Sequence, residues 1–171
     1  MERELPTYCD ILAYCLMPNH FHLLIYVPVN SEGLHFLPNQ NQQILVRKLG
    51  TLLSSYSQAI NKQENRSGSL FQQKTKSKIL DTSAYSTTCF HYIHQNPVKA
   101  NLVMKIEAWP YSSFRDYLEG KSNICNIARA KELLEIPLEQ DQFYHESYRV
   151  IDQDLIKSQA VRPLKAVRRL G

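Results

Sequence analysis

Two short apolar runs, broken by Met17-Pro18-Asn19-His20, constrain this chain more than any other feature. Ile11, Leu12, Tyr14 and Leu16 lie in a run too short for an ordinary helix, and Phe21 to Val27 form a second run that Pro28 stops. Proline lacks an amide donor and asparagine favours turns, so the residues between the runs interrupt a strand ladder. Strands over Asp10–Leu16 and Phe21–Val27, joined so tightly, are expected to pair as an antiparallel hairpin.

That hairpin gives His20-Phe21-His22 a geometry. Strand side chains alternate, so the two imidazoles project to one side with Cα atoms about 7 Å apart, and Phe21 is expected to point the other way into the core. Two imidazoles so placed can converge on one divalent cation. Six histidines occur in the chain, and most His-x-His pairs are ordinary surface residues; the hairpin, the rigid turn and the apolar run after the pair favour a ligand role here. The histidines alone leave manganese, magnesium and zinc open.

The remaining pattern is that of one α+β domain. At 171 residues, with 43% hydrophobic and 21% charged, the chain suits a single soluble core. No run approaches the roughly 18 apolar residues of a membrane span, and the first residues lack a signal-peptide apolar region, so a cytoplasmic location is expected. The cysteines Cys9, Cys15, Cys89 and Cys125 have no zinc spacing and read as thiols of a reducing compartment. Ile44, Leu45, Leu49, Leu52, Leu53, Tyr56 and Ile60 form an apolar stripe on a helix over Gln43–Lys62, predicted to face a core. Leu70–Leu80 reads as an extended strand with Lys74, Lys76 and Lys78 on one face. A helix should start at Asp81, Thr82 or Ser83 and stop at Asn96, before Pro97; others are expected over Ile127–Leu134 and Tyr144–Ser158. The order suggests a sheet with helices on one face.

Net charge is +4 and pI about 8.8, a weak pointer to nucleic acid by itself. The distribution says more: Lys62, Arg66, Lys74, Lys76 and Lys78 face a single acid, Glu64, over residues 62–78, and Arg162, Lys165, Arg168 and Arg169 crowd the tail.

A second constellation lies on the helix after Thr82. Tyr92 and Asn96 are four apart and share a face, whereas Phe90 and Ile93 form a separate, core-facing stripe. A phenol has a pKa near 10, so about one in a thousand is ionised at neutral pH. A neighbouring cation would stabilise the phenolate and polarise a phosphate, and an amide oxygen from Asn96 is a hard ligand suited to magnesium or manganese. Metal beside tyrosine is a sound arrangement for covalent attack on a phosphodiester. In isolation, Tyr-x-x-x-Asn more often packs at a core rim.

Together these motifs resemble a known family. Leu16-Met17-Pro18-Asn19-His20-Phe21-His22-Leu23-Leu24 resembles the metal-binding strand of the single-tyrosine HUH transposases, the insertion-sequence-200-like and REP-associated enzymes. Tyr92-Ile93-His94-Gln95-Asn96-Pro97-Val98-Lys99-Ala100 resembles their catalytic helix, Trp109-Pro110-Tyr111-Ser112-Ser113-Phe114 an element of the REP-associated branch, and Arg66-Ser67-Gly68-Ser69-Leu70-Phe71-Gln72 the lead-in to their basic strand. The likeness runs from about Tyr8 to Tyr117.

The resemblance implies a ferredoxin-like or RRM-like antiparallel sheet in a transposase domain over 1–120, followed by a helical basic extension over 121–171. It implies metal ligands at His20, His22 and Asn96, with magnesium or manganese as cofactor, and a nucleophile at Tyr92 that forms a 5′-phosphotyrosine link with single-stranded DNA. Arg66, Lys74, Lys76, Lys78 and Lys99 are the expected DNA contacts, and Ser112 and Ser113 are candidate phosphate donors or helix caps. Hairpin-bearing single-stranded DNA is the expected partner, no membrane is, and a homodimer is left open. The family carries a strand and a helix ahead of the histidine hairpin that this sequence is expected to lack, leaving the histidine strand with an unpaired edge. Two alternatives remain: a truncated or domesticated remnant that binds DNA hairpins without cleaving, and a metal-dependent hydrolase unrelated to DNA.

Overall fold

A computed structural model describes residues 9–28, 38–71, 75–76, 78–137, 139–149 and 151, with 38–44 described in backbone only. The hairpin forms as expected. Strand β1 (Asp10–Leu16) pairs antiparallel with β2 (Phe21–Tyr26), and Met17 N donates to His20 O at 2.8 Å across the turn. The register slips between Ile11 and Ala13, a bulge that leaves Ala13 opposite Leu24 and Cys15 opposite His22.

Cross-strand partners share a face. Ala13, Cys15 and Leu24 are all buried in the main core, so the face that carries His22 is the core face. The expectation for Phe21 is therefore corrected. Phe21 lies half-buried on the reverse face, edge-on to Phe71 at 6.1 Å, and Phe71 in turn meets Tyr56. The physical reason is the short hairpin: its single buried face is claimed by the helix that follows, and the alternation that places Leu24 there also places His22 there.

That helix, α2 (Ser83–Lys99), starts where Thr82 accepts a hydrogen bond from Tyr85 N. It does not stop before Pro97 but continues to Lys99. Pro97 removes the donor to Ile93 O, and the Asn96 side-chain amide stands 3.5 Å from that carbonyl and 2.8 Å from Tyr92 O. The helix then ends in a Schellman motif: Asn101 takes a left-handed φ of 54°, Leu102 N donates to Pro97 O and Asn101 N to Val98 O, both at 2.9 Å.

Phe90 and Ile93 of α2 face the core, as their spacing predicted. There they join Ile106 from a 3₁₀ turn (Ile106–Ala108), Phe114 and Tyr117 from α3 (Phe114–Glu119), Ala130 from α4 (Ile127–Leu133) and Phe143 from α5 (Gln140–Ser147). Phe143 stacks on Phe114 at 5.5 Å and on Tyr117 at 6.0 Å. No apolar periodicity marks the 3₁₀ turn or the six-residue α3. α5 begins four residues earlier than the predicted Tyr144 and ends at Ser147; 150 and 152–171, including the basic tail, lie outside the described residues.

The outer edge of β1 is fully used. Leu16 N donates to Tyr111 O at 2.8 Å, Ser113 N to Tyr14 O at 3.0 Å and Asn126 N to Ile11 O at 2.9 Å. The Tyr117 hydroxyl donates to Leu12 O, and Trp109 Nε1 to Leu16 O at 3.0 Å. Ser112 and Ser113 therefore correct another expectation. Both are buried; Ser113 Oγ accepts from Tyr14 N at 3.0 Å and makes no helix-cap bond, so neither is a surface donor to phosphate.

Two further expectations change. α1 (Pro38–Gln63) starts earlier than predicted, with proline at the first helical position, where a missing N–H costs nothing. Its stripe is not core: Leu45, Leu49, Leu52, Leu53 and Ile60 are half-buried and Tyr56 is exposed, because the hairpin's apolar face is already covered by α2. The segment over 70–80 forms no strand among the described residues, where the sheet has two strands and Lys76 and Lys78 lie in irregular backbone. Alternation alone cannot hold a strand that lacks a ladder partner. The fold is thus mixed α and β with one antiparallel hairpin sheet, and no helix among the described residues is long and apolar enough to cross a membrane.

Candidate active site

The core face of β2 ends at a cluster of three rings. His22 sits at the rim of the core, half-buried, and His20 lies one pleat further out, exposed; their ring centroids are 4.9 Å apart and nearly perpendicular. Tyr92 of α2 completes the group, with its ring centroid 6.1 Å from that of His22. Tyr92 is half-buried and stands apart from the hydrophobic cluster that holds Phe90 and Ile93. Two motifs remote in sequence meet because the hairpin and the helix share one core face.

His20 Nδ1 lies 2.6 Å from Asn19 Oδ1, an atom that only accepts, a contact that directs Nδ1–H to the asparagine and leaves Nε2 as the outer nitrogen. Burial, with the neighbouring His20 adding to it, pushes His22 down to about 4, which keeps its ring neutral near pH 7. His22 Nε2 is buried with no hydrogen-bond partner among the described residues. An orphaned imidazole nitrogen beside a second imidazole fits a divalent cation as ligand.

Asn96 lies one turn on from Tyr92, half-buried. Its Nδ2 donates to Tyr92 O at 2.8 Å, which turns the amide back on the helix. No cluster of three His, Cys, Asp or Glu side chains that could hold a metal occurs among the described residues.

The predicted basic contacts separate. Lys99, two turns along α2, holds its ammonium 4.9 Å from the Tyr92 ring centroid, and partial burial lowers its pKa. Lys78 serves a different ring: its Nζ donates to Tyr85 Oη at 2.9 Å and lies 4.5 Å from that ring's centroid. Arg66, in the turn after α1, and Lys76 are exposed; Lys74 lies outside the described residues.

With this geometry in place, one similarity weighs on it. The chain is 27% identical, over 105 residues, to a Haemophilus influenzae protein whose name, REP-associated tyrosine transposase, is itself provisional. The matched region is 61% of this chain and 58% of the relative, so the chain spans less than two thirds of that protein's length. No family model matches the chain. No solved structure matches it.

Several further residues hold α2 in place. His94 is fully buried and its Nε2 lies 2.8 Å from Ser113 Oγ, which joins α2 to the segment that edges β1. On the next face of α2, His91 Nδ1 lies 3.1 Å from Ser147 Oγ, and Gln95 Nε2 donates to Ser147 O and Arg149 O, both at 2.8 Å. α2 is thereby gripped on the sides away from Tyr92. The usable clue was the helical spacing: His91 with Gln95, and Phe90 with His94, fall on faces distinct from Tyr92 with Asn96.

Proposed function

We propose that this chain is a metal-dependent transposase of the single-tyrosine HUH kind, which nicks and rejoins hairpin-bearing single-stranded DNA. The observation that carries the reading is the placement of the Tyr92 ring 6.1 Å from His22, whose Nε2 is buried and without a partner. The similarity to a protein named as a tyrosine transposase supports it independently.

In this reading Tyr92 Oη bonds to a phosphorus of the DNA. The P–O3′ bond breaks and the 3′ oxygen leaves with the bonding pair, taking a proton from water while the phenolic proton passes to solvent. The 5′-phosphotyrosine link conserves the bond, and a later 3′-hydroxyl reverses the step. His20, His22 and Asn96 would hold magnesium or manganese, which supplies Lewis acidity at the phosphate when bound. Asn19 fixes the His20 tautomer, and the grip of His94 and Gln95 fixes the helix that presents the phenol. Arg66, Lys74, Lys76 and Lys78 would contribute to backbone contacts, which raise affinity without reading sequence.

The test is covalent capture. Hairpin-flanked single-stranded DNA incubated with the protein and manganese should yield a denaturant-resistant adduct that disappears in Tyr92→Phe and in His22→Ala. Binding to the same DNA with no adduct from the wild-type protein would overturn the cleavage reading.

A further inference from the structure

Lys99 departs from the pattern of a cation that merely grips DNA. It stands on the Tyr92 face of α2, seven residues on, in the last turn, where the helix carbonyls favour a positive charge. Its ammonium lies over the ring of Tyr92, 4.9 Å from the centroid. A comparable contact is that of Lys78 with Tyr85, near the start of the same helix.

A cation over a neutral phenol ring is held by the ring quadrupole alone. Once the phenol ionises, negative charge spreads into that ring, and a Coulomb attraction is added at the same distance. The contact therefore strengthens as Tyr92 becomes a phenolate, and an interaction that strengthens along the reaction lowers its barrier.

We propose that Lys99 is a positioning residue for Tyr92 that also stabilises its phenolate, on attack and again on departure. This rests on the transesterification reading above. In cleavage, the Oη–P bond forms and the 3′ oxygen leaves with its pair; in rejoining, a 3′ oxygen bonds to phosphorus and Oη leaves with the pair as phenolate. Both steps pass through the same charged ring, so one lysine serves both directions.

The alternative is that Lys99 acts only through the DNA backbone, which predicts a loss of affinity with salt dependence and no loss of rate once DNA is saturating. Single-turnover cleavage and rejoining are to be measured at saturating DNA and manganese for wild type, Lys99→Met and Lys99→Arg. DNA affinity is measured in parallel in a Tyr92→Phe background. The expected result is a loss of roughly tenfold or more in both saturated rates for Lys99→Met, a range set by other electrostatic groups at reacting centres. Lys99→Arg should recover most of it. Lys121→Met, far from the cluster beside Glu119, serves as the control and should match wild type in rate and affinity. A Lys99→Met protein that reaches the wild-type rate at saturation overturns the proposal while leaving the cleavage reading intact. A wild-type protein that forms no adduct removes the cleavage reading and this proposal with it.

Discussion

His94 Nε2 and Ser113 Oγ lie 2.8 Å apart, both without exposed surface, and this contact couples the helix of Tyr92 to the edge of β1. Ser113 also accepts from Tyr14 N at 3.0 Å. Ser113→Ala strips a partner from a buried imidazole and from a backbone amide together. Unmet buried polar groups cost about 1–3 kcal/mol each, so a total loss of about 3 kcal/mol is expected. Urea denaturation should show the midpoint falling by roughly 1–2 M, given ordinary m-values. A variant that unfolds with the wild-type midpoint would show that neither partner depends on the hydroxyl.

Asn19 should matter to metal binding although it is not a ligand. Its Oδ1 holds His20 Nδ1 at 2.6 Å, which sets the tautomer that offers Nε2. Such outer-shell partners typically contribute 10–100-fold in metal affinity. Manganese titration followed by electron paramagnetic resonance should show Asn19→Ala binding about tenfold more weakly than wild type. His22→Ala should bind more weakly still. Equal affinities for Asn19→Ala and wild type would remove the tautomer argument.

How much of this was legible depended on whether an element makes its own contacts. The hairpin was legible because Met17-Pro18-Asn19 and two short apolar runs admit few other structures, and α2 because Thr82 caps it. Sequence spacing pairs His20 with His22 and Tyr92 with Asn96 separately; the structure sets the Tyr92 and His22 ring centroids 6.1 Å apart. What misled was polarity of faces. Phe21 is the bulkier residue and its bulk assigns it to the core, but the register that buries Ala13, Cys15 and Leu24 gives the core face to the histidines. Lys76 and Lys78 alternate as strand residues do, yet a strand exists only with a neighbour, which no local pattern reveals. Ser113, a candidate phosphate donor or helix cap from its sequence, takes the N-cap position of α3 but commits its hydroxyl to Tyr14 and His94, partners too distant in the chain for a local pattern to reveal.

The end of α2 carries a strain that a substitution can expose. Asn101 holds φ at 54°, where asparagine is tolerated and a plain Cβ-bearing residue is costly. Asn101→Ala should destabilise the protein by about 1 kcal/mol, read as a drop of a few degrees in thermal midpoint. Asn101→Gly should be at least as stable as wild type, because glycine adopts this conformation without a steric cost. The two variants shifting the midpoint in the same downward direction would contradict the Schellman assignment.

Acid should loosen the grip of α5 on α2 through His91. Burial lowers its pKa from about 6.5 to about 4, and Glu146 opposes that shift only in part. The nearby His94 is also held neutral by burial, so it adds neither attraction nor repulsion to a proton on His91. Nδ1 is taken by Ser147 Oγ, and Nε2 is buried with no partner among the described residues, so a proton there would have no acceptor. With the folded value below the unfolded one, the contribution is complete above about pH 6.5 and is lost as pH falls toward 4, where the native ring also protonates. The loss accrues at up to about 1.4 kcal/mol per pH unit within that window. Between pH 7.5 and 5.0, the unfolding free energy of the wild type should therefore fall by about 2 kcal/mol through this group. His91→Gln has no proton to gain and should show a correspondingly smaller fall across the same range. If both proteins lose stability equally between those two pH values, the acid sensitivity lies elsewhere and the neutral, buried His91 is not what holds α5 in place.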